Sequence, residues 1–178
     1  MANQLTYIPR KGQDAEFDNV DVAGDLTITG AFTTGVVDVT GATVTVTAAS
    51  HAGKTIVFSR AAGVTATLPA ATGTGNIYRF VIGTAATSNA NIIKVANATD
   101  VMNGSLNIQQ DTDSDGTVKV WRADAGDDTM TFAGAATTGG IVGGYIQCLD
   151  YKAGFWSCQA FTQSGGGSEA TPFSATVS

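Results

Sequence analysis

Short runs in which apolar and polar residues alternate, broken by glycine, recur along most of this chain. In NIYRFVIG, Tyr78, Phe80 and Ile82 share one side and Arg79 takes the other. In TVKVWRA, Val118 and Val120 share a side and Lys119 is opposed to them. A period of two places successive side chains on opposite faces of a sheet, so both runs predict strands. KTIVFS, TMTF, GYIQCLD and GFWSCQAF continue the series between polar or glycine-rich breaks, without intervening helical periodicity. Residues about 43–162 are therefore predicted to form an all-β domain with almost no helix, an antiparallel β-sandwich or jelly-roll-like barrel.

The pattern shifts along the chain and suggests four zones. Residues 1–20 hold Leu5, Tyr7, Ile8, Pro9, Arg10 and Lys11 without a sustained period, which reads as an extended N-terminal arm. Residues 21–50 (DVAGDLTITGAFTTGVVDVTGATVTVTAAS) break Val/Thr/Ile runs at Gly24, Gly30, Gly35 and Gly41, as short strands joined by tight turns would. Asp21-Val22-Ala23-Gly24 is nearly echoed in Asp38-Val39-Thr40-Gly41, two copies of one strand-turn unit and too few to define a solenoid. Such a ribbon buries little alone and needs a neighbouring domain or identical chains to pack on. Residues 51–164 carry the antiparallel β-domain. Residues 165–178 open with Gly165-Gly166-Gly167-Ser168, a flexible joint, before EATPFSATVS, a strand donated to a neighbour or a loose tail.

Within LDYKAGFW, Lys152-Ala153-Gly154 suits a three-residue hairpin whose last position is left-handed, a conformation glycine adopts freely. Tyr151 then faces Phe155, and stepping outward brings Cys148 opposite Cys158, close enough for a disulfide. Two thiols are expected on assembly in a reducing cytoplasm, with oxidation after release.

Composition narrows the partners. The chain is 43% hydrophobic but only 13% charged, about half the usual 25%, and its abundant Val and Thr suit a pleated surface. A net charge of -6 and a pI near 4.4 repel a phosphate backbone, so no nucleic-acid partner is expected. No stretch approaches the roughly 20 apolar residues of a membrane span, and the opening residues lack a signal-peptide layout. The expectation is synthesis in a cytoplasm and no membrane partner.

Chemistry-bearing groups are sparse, and the chain is not expected to be an enzyme. His51 is the one histidine, preceded by Ser50 but with no nucleophile elbow or metal pair around it, so it reads as structural. Asp127 and Asp128 could serve a glycosidase, yet neighbours on a strand face opposite sides, and a solvated turn is the expectation. The sharpest motif is Asp111-Thr112-Asp113-Ser114-Asp115-Gly116-Thr117, with alternating carboxylates, a turn glycine and the Thr117 carbonyl where a calcium loop has its first ligands. Arg122 stands at the twelfth position in place of a bidentate Glu, so calcium here needs a carboxylate from elsewhere, and the competing reading is an acidic hairpin turn. Were calcium to bind, it would raise the melting temperature, and Asp113→Ala would abolish the gain. No other cofactor is expected.

The run DVAGDLTITGAFTTGVVDVTGATVTVT resembles the Gly/Thr/Val-rich segments of tailed-bacteriophage fibres and spikes. TVTAASHAGKTIVFSRAAGVTATLPAATGTGNIYRFVIG is similar to a small β-domain opening of phage head and tail proteins. The resemblance covers roughly residues 21–83 and is compositional. It implies a virion surface protein, often trimeric: a capsid decoration or cement protein bound to the major capsid protein or another virion protein. The N-terminal Tyr7, Ile8, Pro9, Arg10 and Lys11 are the expected anchor. The alternative is a short head or tail fibre binding a host glycan on a platform of Trp121, Trp156 and the tyrosines.

Overall fold

The period-two runs fold as strands, and the way they are joined was not legible in them. The computed structural model describes residues 34–110, 117–134, 137–165 and 169–177. The chain divides into Met1–Thr33, which lies outside the described residues together with the expected arm, and a compact unit, Thr34–Ser178. In the second unit the strands are β1 (Val36–Val39), β2 (Thr43–Thr45), β3 (Thr55–Phe58), β4 (Thr65–Thr67), β5 (Ile77–Ile82) and β6 (Asn91–Lys94). They continue as β7 (Val101–Gln110), β8 (Val118–Arg122), β9 (Thr129–Phe132), β10 (Tyr145–Lys152), β11 (Phe155–Ser164) and β12 (Phe173–Ser174). The helix α1 (Ala48–His51) is a single turn, capped by the Thr47 hydroxyl, which accepts from the Ser50 N–H.

Two mixed sheets result, a seven-stranded one in the order β1-β3-β5-β10-β11-β7-β8 and a five-stranded one in the order β12-β9-β6-β4-β2. The antiparallel arrangement expected from the sequence is corrected here. β1·β3, β3·β5, β2·β4, β4·β6 and β7·β11 pair in parallel, and the remaining pairs are antiparallel. The first six strands alternate between the sheets, so Val36 lies beside Thr55 and Thr55 beside Arg79, while Thr43 lies beside Thr65 and Thr65 beside Ile92. Parallel neighbours need a crossover, and here a strand of the opposite sheet serves where a helix usually would. Three successive strand pairs thus wind as coils, and the second half of the chain closes the sheets with hairpins and longer returns. The division drawn at residue 50 on composition falls inside this unit, with β1 and β2 built into the sheets.

Inward positions of both sheets belong to one core. Ile56, Phe58, Tyr78, Phe80, Ile82, Met102, Leu106, Ile146, Trp156 and the two cysteines line it from the larger sheet, and Val64, Ala66, Leu68, Ile93, Val95, Met130 and Phe132 from the smaller. Tyr78 and Trp156 meet edge to face at 5.8 Å, a favoured aromatic geometry.

The C-terminal segment is neither donated nor loose over its described residues. Phe173 and Ser174 pair with Met130 and Thr129 of the same chain, and Phe173 is buried. The carboxylate of Asp128 accepts from the N–H groups of Thr176 and Val177 at 2.8 and 3.0 Å, fixing the end of the chain.

Candidate interaction surface

The β10–β11 hairpin sets the register of the larger sheet. Gly154 has φ 78°, the left-handed conformation expected of it, and Cys148 lies opposite Cys158 as the sequence predicted. One detail differs: Lys152, not Tyr151, faces Phe155, because Tyr151 forms a bulge. The turn is held from outside, Gly154 N–H donating to the Ala71 carbonyl and Val101 N–H to the Gly154 carbonyl.

From this register the outward side of the sheet can be followed row by row. One row runs Asp38–Val57–Val81–Tyr145–Phe161–Asn107–Val120 from edge to edge. Beside it runs Val36–Thr55–Arg79–Gln147–Gln159–Ser105–Arg122, and flanking these are the shorter rows Gln163–Gln109–Val118 and Ile77–Leu149–Ser157–Asn103. Across all four rows only Asp38, Arg79 and Arg122 are charged. Among the described residues this face is therefore almost free of charge, in a chain of net charge -6.

The apolar side chains concentrate toward β11 and β8. Phe161 is 61% exposed, Val120 60%, Val118 52% and the neighbouring Val142 60%. Single exposed apolar residues are ordinary, whereas a contiguous group marks a contact surface. A shallow groove of about 460 Å³ runs past Phe161 between Val118, Val142 and Asn107. The amides of Gln109 and Gln163, joined by a 3.2 Å hydrogen bond, form its polar rim.

Strand β8 explains why this patch exists. Trp121 takes the side facing the core, opposite Leu106, and with a period of two that choice turns Val118 and Val120 outward. Lys119 shares the inner side, where its ammonium meets Glu169 at 3.0 Å. The Glu169 side chain is wholly covered and also accepts from the Ser164 hydroxyl. That ammonium holds the Glu169 carboxyl below its ordinary value.

The residues singled out from sequence fall as follows. Tyr7, Ile8, Pro9, Arg10 and Lys11 lie outside the described residues, as do Asp111, Asp113 and Asp115. Thr117 is described, and its carbonyl accepts from the Gln110 N–H at 3.0 Å where β7 and β8 pair as a hairpin. Among the described residues no three His, Cys, Asp or Glu side chains cluster as a metal site would. His51 is buried in α1, with Nδ1 accepting from the Thr47 N–H at 3.0 Å. Asp127 accepts from Asp124 N–H in an exposed turn, but Asp128 is only 3% exposed, so the expectation of a solvated pair holds for the first alone. Trp156 and Tyr78 are sealed in the core, which removes them from any sugar platform.

Comparison of the chain with family models, curated proteins and solved structures finds no match. The candidate surface therefore stands on its own chemistry. Sequence reasoning missed it because Phe161, Val118 and Val120 were read only as strand positions, without a register to show that they share an outer face.

Proposed function

We propose that this chain is a structural virion protein of a tailed bacteriophage, made in the host cytoplasm and carried on the capsid surface, which it decorates and stabilises through protein–protein contacts. The link to phages rests on the resemblance of residues 21–83. The observation that carries the mode of action is the nearly uncharged outer face of the seven-stranded sheet, with Phe161, Val118, Val120 and Val142 exposed in an otherwise acidic chain.

On this reading the two sheets are the layers of a sandwich, and three copies associate through that face. Like-charged chains repel least where charge is absent, and the amides of Gln109, Gln147, Gln159 and Gln163 each offer a donor and an acceptor, so one copy can satisfy another. A contact between unlike parts of the face closes into a ring under threefold symmetry. Tyr7, Ile8, Pro9, Arg10 and Lys11 then anchor the trimer to the major capsid protein or another virion protein. Three modest contacts acting together give strong avidity when the lattice spacing fits. The chemistry is that of binding, with no catalytic step.

A second reading is favoured by one feature, the exposed Phe161 ring beside Asn107, Gln109 and Gln163. A ring and amides are what a neutral sugar uses, its C–H face stacking and its hydroxyls hydrogen-bonding, so a short fibre binding a host glycan is the alternative. Antibody labelling of particles from the phage that encodes the chain separates the two. Label over the whole head supports decoration, label at one vertex supports a fibre, and unlabelled particles contradict both.

A further inference from the structure

Cys148 and Cys158 are register partners on adjacent antiparallel strands, both fully buried as free thiols, with their sulfur atoms 3.6 Å apart. We propose that this pair is an intrachain disulfide site that can close only while the chain is folding, so that the finished protein keeps the state, dithiol or disulfide, in which it folded.

Direct opposition on neighbouring strands brings the two Cα atoms within bridging range, and the sulfurs have only to approach to about 2.05 Å, a matter of side-chain rotation. What the fold withholds is access. On the core side the pair lies in the row Tyr78–Cys148–Cys158–Gly104, with Phe80–Ile146–Ala160–Leu106 on one flank and Trp156 and Met102 on the other. The larger of these side chains, Tyr78, Phe80, Trp156, Met102 and Leu106, are each at most 1% exposed. Thiol–disulfide exchange needs an attacking thiolate in line with the sulfur it displaces, and no small disulfide reaches that position in the closed sheet. Burial also pushes the Cys148 thiol well above its ordinary value, which suppresses the thiolate further. β10 and β11 are central strands of the larger sheet, so exposing the sulfurs requires opening its middle.

In a chain not yet closed, the thiolate of one cysteine attacks a low-molecular-weight disulfide such as oxidised glutathione, forming a mixed disulfide and releasing one small thiol. The second cysteine, as thiolate, attacks the protein-side sulfur of that mixed disulfide, forming the Cys148–Cys158 bond and releasing the second small thiol. The protein loses two electrons and two protons, and the glutathione disulfide gains both. Folding in reducing surroundings leaves a dithiol that later oxidising conditions do not convert, contrary to the oxidation after release expected from the sequence.

The test uses the full chain. Protein folded with reductant, then held in oxidised glutathione, is denatured in an alkylating reagent and weighed. The expected result is two alkylated cysteines, with disulfide formation at least about tenfold slower than in the same protein held unfolded. Protein unfolded and refolded in the same glutathione buffer should be unalkylated, lighter by the two lost hydrogens, and higher melting by several degrees. Comparable oxidation rates for folded and unfolded protein would overturn the gate. Refolded protein ending as two thiols or as glutathione adducts would overturn the site. Should refolding fail, soluble protein produced in cells with an oxidising cytoplasm, compared with ordinary cells, reads the same outcome. Disulfide in the first and dithiol in the second supports the proposal, and dithiol in both refutes it.

Discussion

Buried carboxylates do much of the loop fastening in this molecule. Asp150, 3% exposed, accepts from the N–H groups of Thr72, Gly73 and Thr74 at 3.0, 2.7 and 3.1 Å and from the Thr74 hydroxyl at 2.7 Å. Burial alone would raise its pKa, but the Thr74 hydroxyl and these amides outweigh burial and hold the carboxyl below its ordinary value. At Asp128 burial likewise pushes upward and is overcome, here by Thr176, Thr129 and Val177 with the charge of Lys94. A carboxylate whose pKa falls on folding contributes stability that is fully present above its unfolded value, about 3.9, and is lost as pH falls through the lower folded value. The melting temperature should therefore hold from pH 7 to about 5 and drop steeply below about 4. Asp150→Asn, which turns an amide donor toward backbone donors, should cost about 1–3 kcal/mol at pH 7 and flatten part of the acid drop in melts across that range. Gly104 is constrained differently: at φ 127° an added Cβ would stand 1.9 Å from the Cys158 carbonyl. Gly104→Ala should lose more than about 2 kcal/mol in urea unfolding. The cysteine register and Gly154 were legible in LDYKAGFW because a tight turn fixes them locally. The role of Asp150 was not, because the residues it clamps lie far upstream in sequence.

At the scale of elements, period two identified β3, β5, β8, β9, β10 and β11 but could not say which face of each looks inward. For β5 the apolar side is the core side, whereas for β8 the Trp121 ring claims the interior and the valines go to solvent. β7 escaped notice because VMNGSLNIQQ is interrupted by Asn103 and Gly104, and β6 because NIIK buries polar Asn91 on the same side as Ile93, so its apolar residues do not alternate. Strand direction was illegible for another reason: a coil that crosses to the other sheet and returns leaves the same alternating pattern as a hairpin. The two kinds of exposed and buried ring give a direct check. Measured on chains diluted until they are monomeric, Phe161→Ser, on the outer face, should change unfolding free energy by under about 1 kcal/mol, while Trp156→Ala, in the core, should cost about 3–5 kcal/mol. Equal losses in denaturant titrations would mean that Phe161 belongs to the packed interior.

The whole molecule combines a net charge of -6, a charge-poor sheet face and an N-terminal segment that holds Tyr7, Ile8, Pro9, Arg10 and Lys11. The all-β character was legible from composition and alternation. The charge-poor face was not, since it exists only once seven strands are set side by side. Deleting residues 1–17 should leave the melting temperature within a few degrees of the intact chain and abolish attachment to phage particles in co-sedimentation; undiminished attachment would remove the anchoring role. Light scattering on the intact chain and on Phe161→Glu decides whether the protein works by associating through the outer face of the larger sheet. The expected result is a mass three times the 18.0 kDa of one chain for the intact protein, and a folded monomer with an unchanged circular dichroism spectrum for the variant. An intact protein that stays monomeric at high concentration, or a trimer that Phe161→Glu leaves undisturbed, would contradict it.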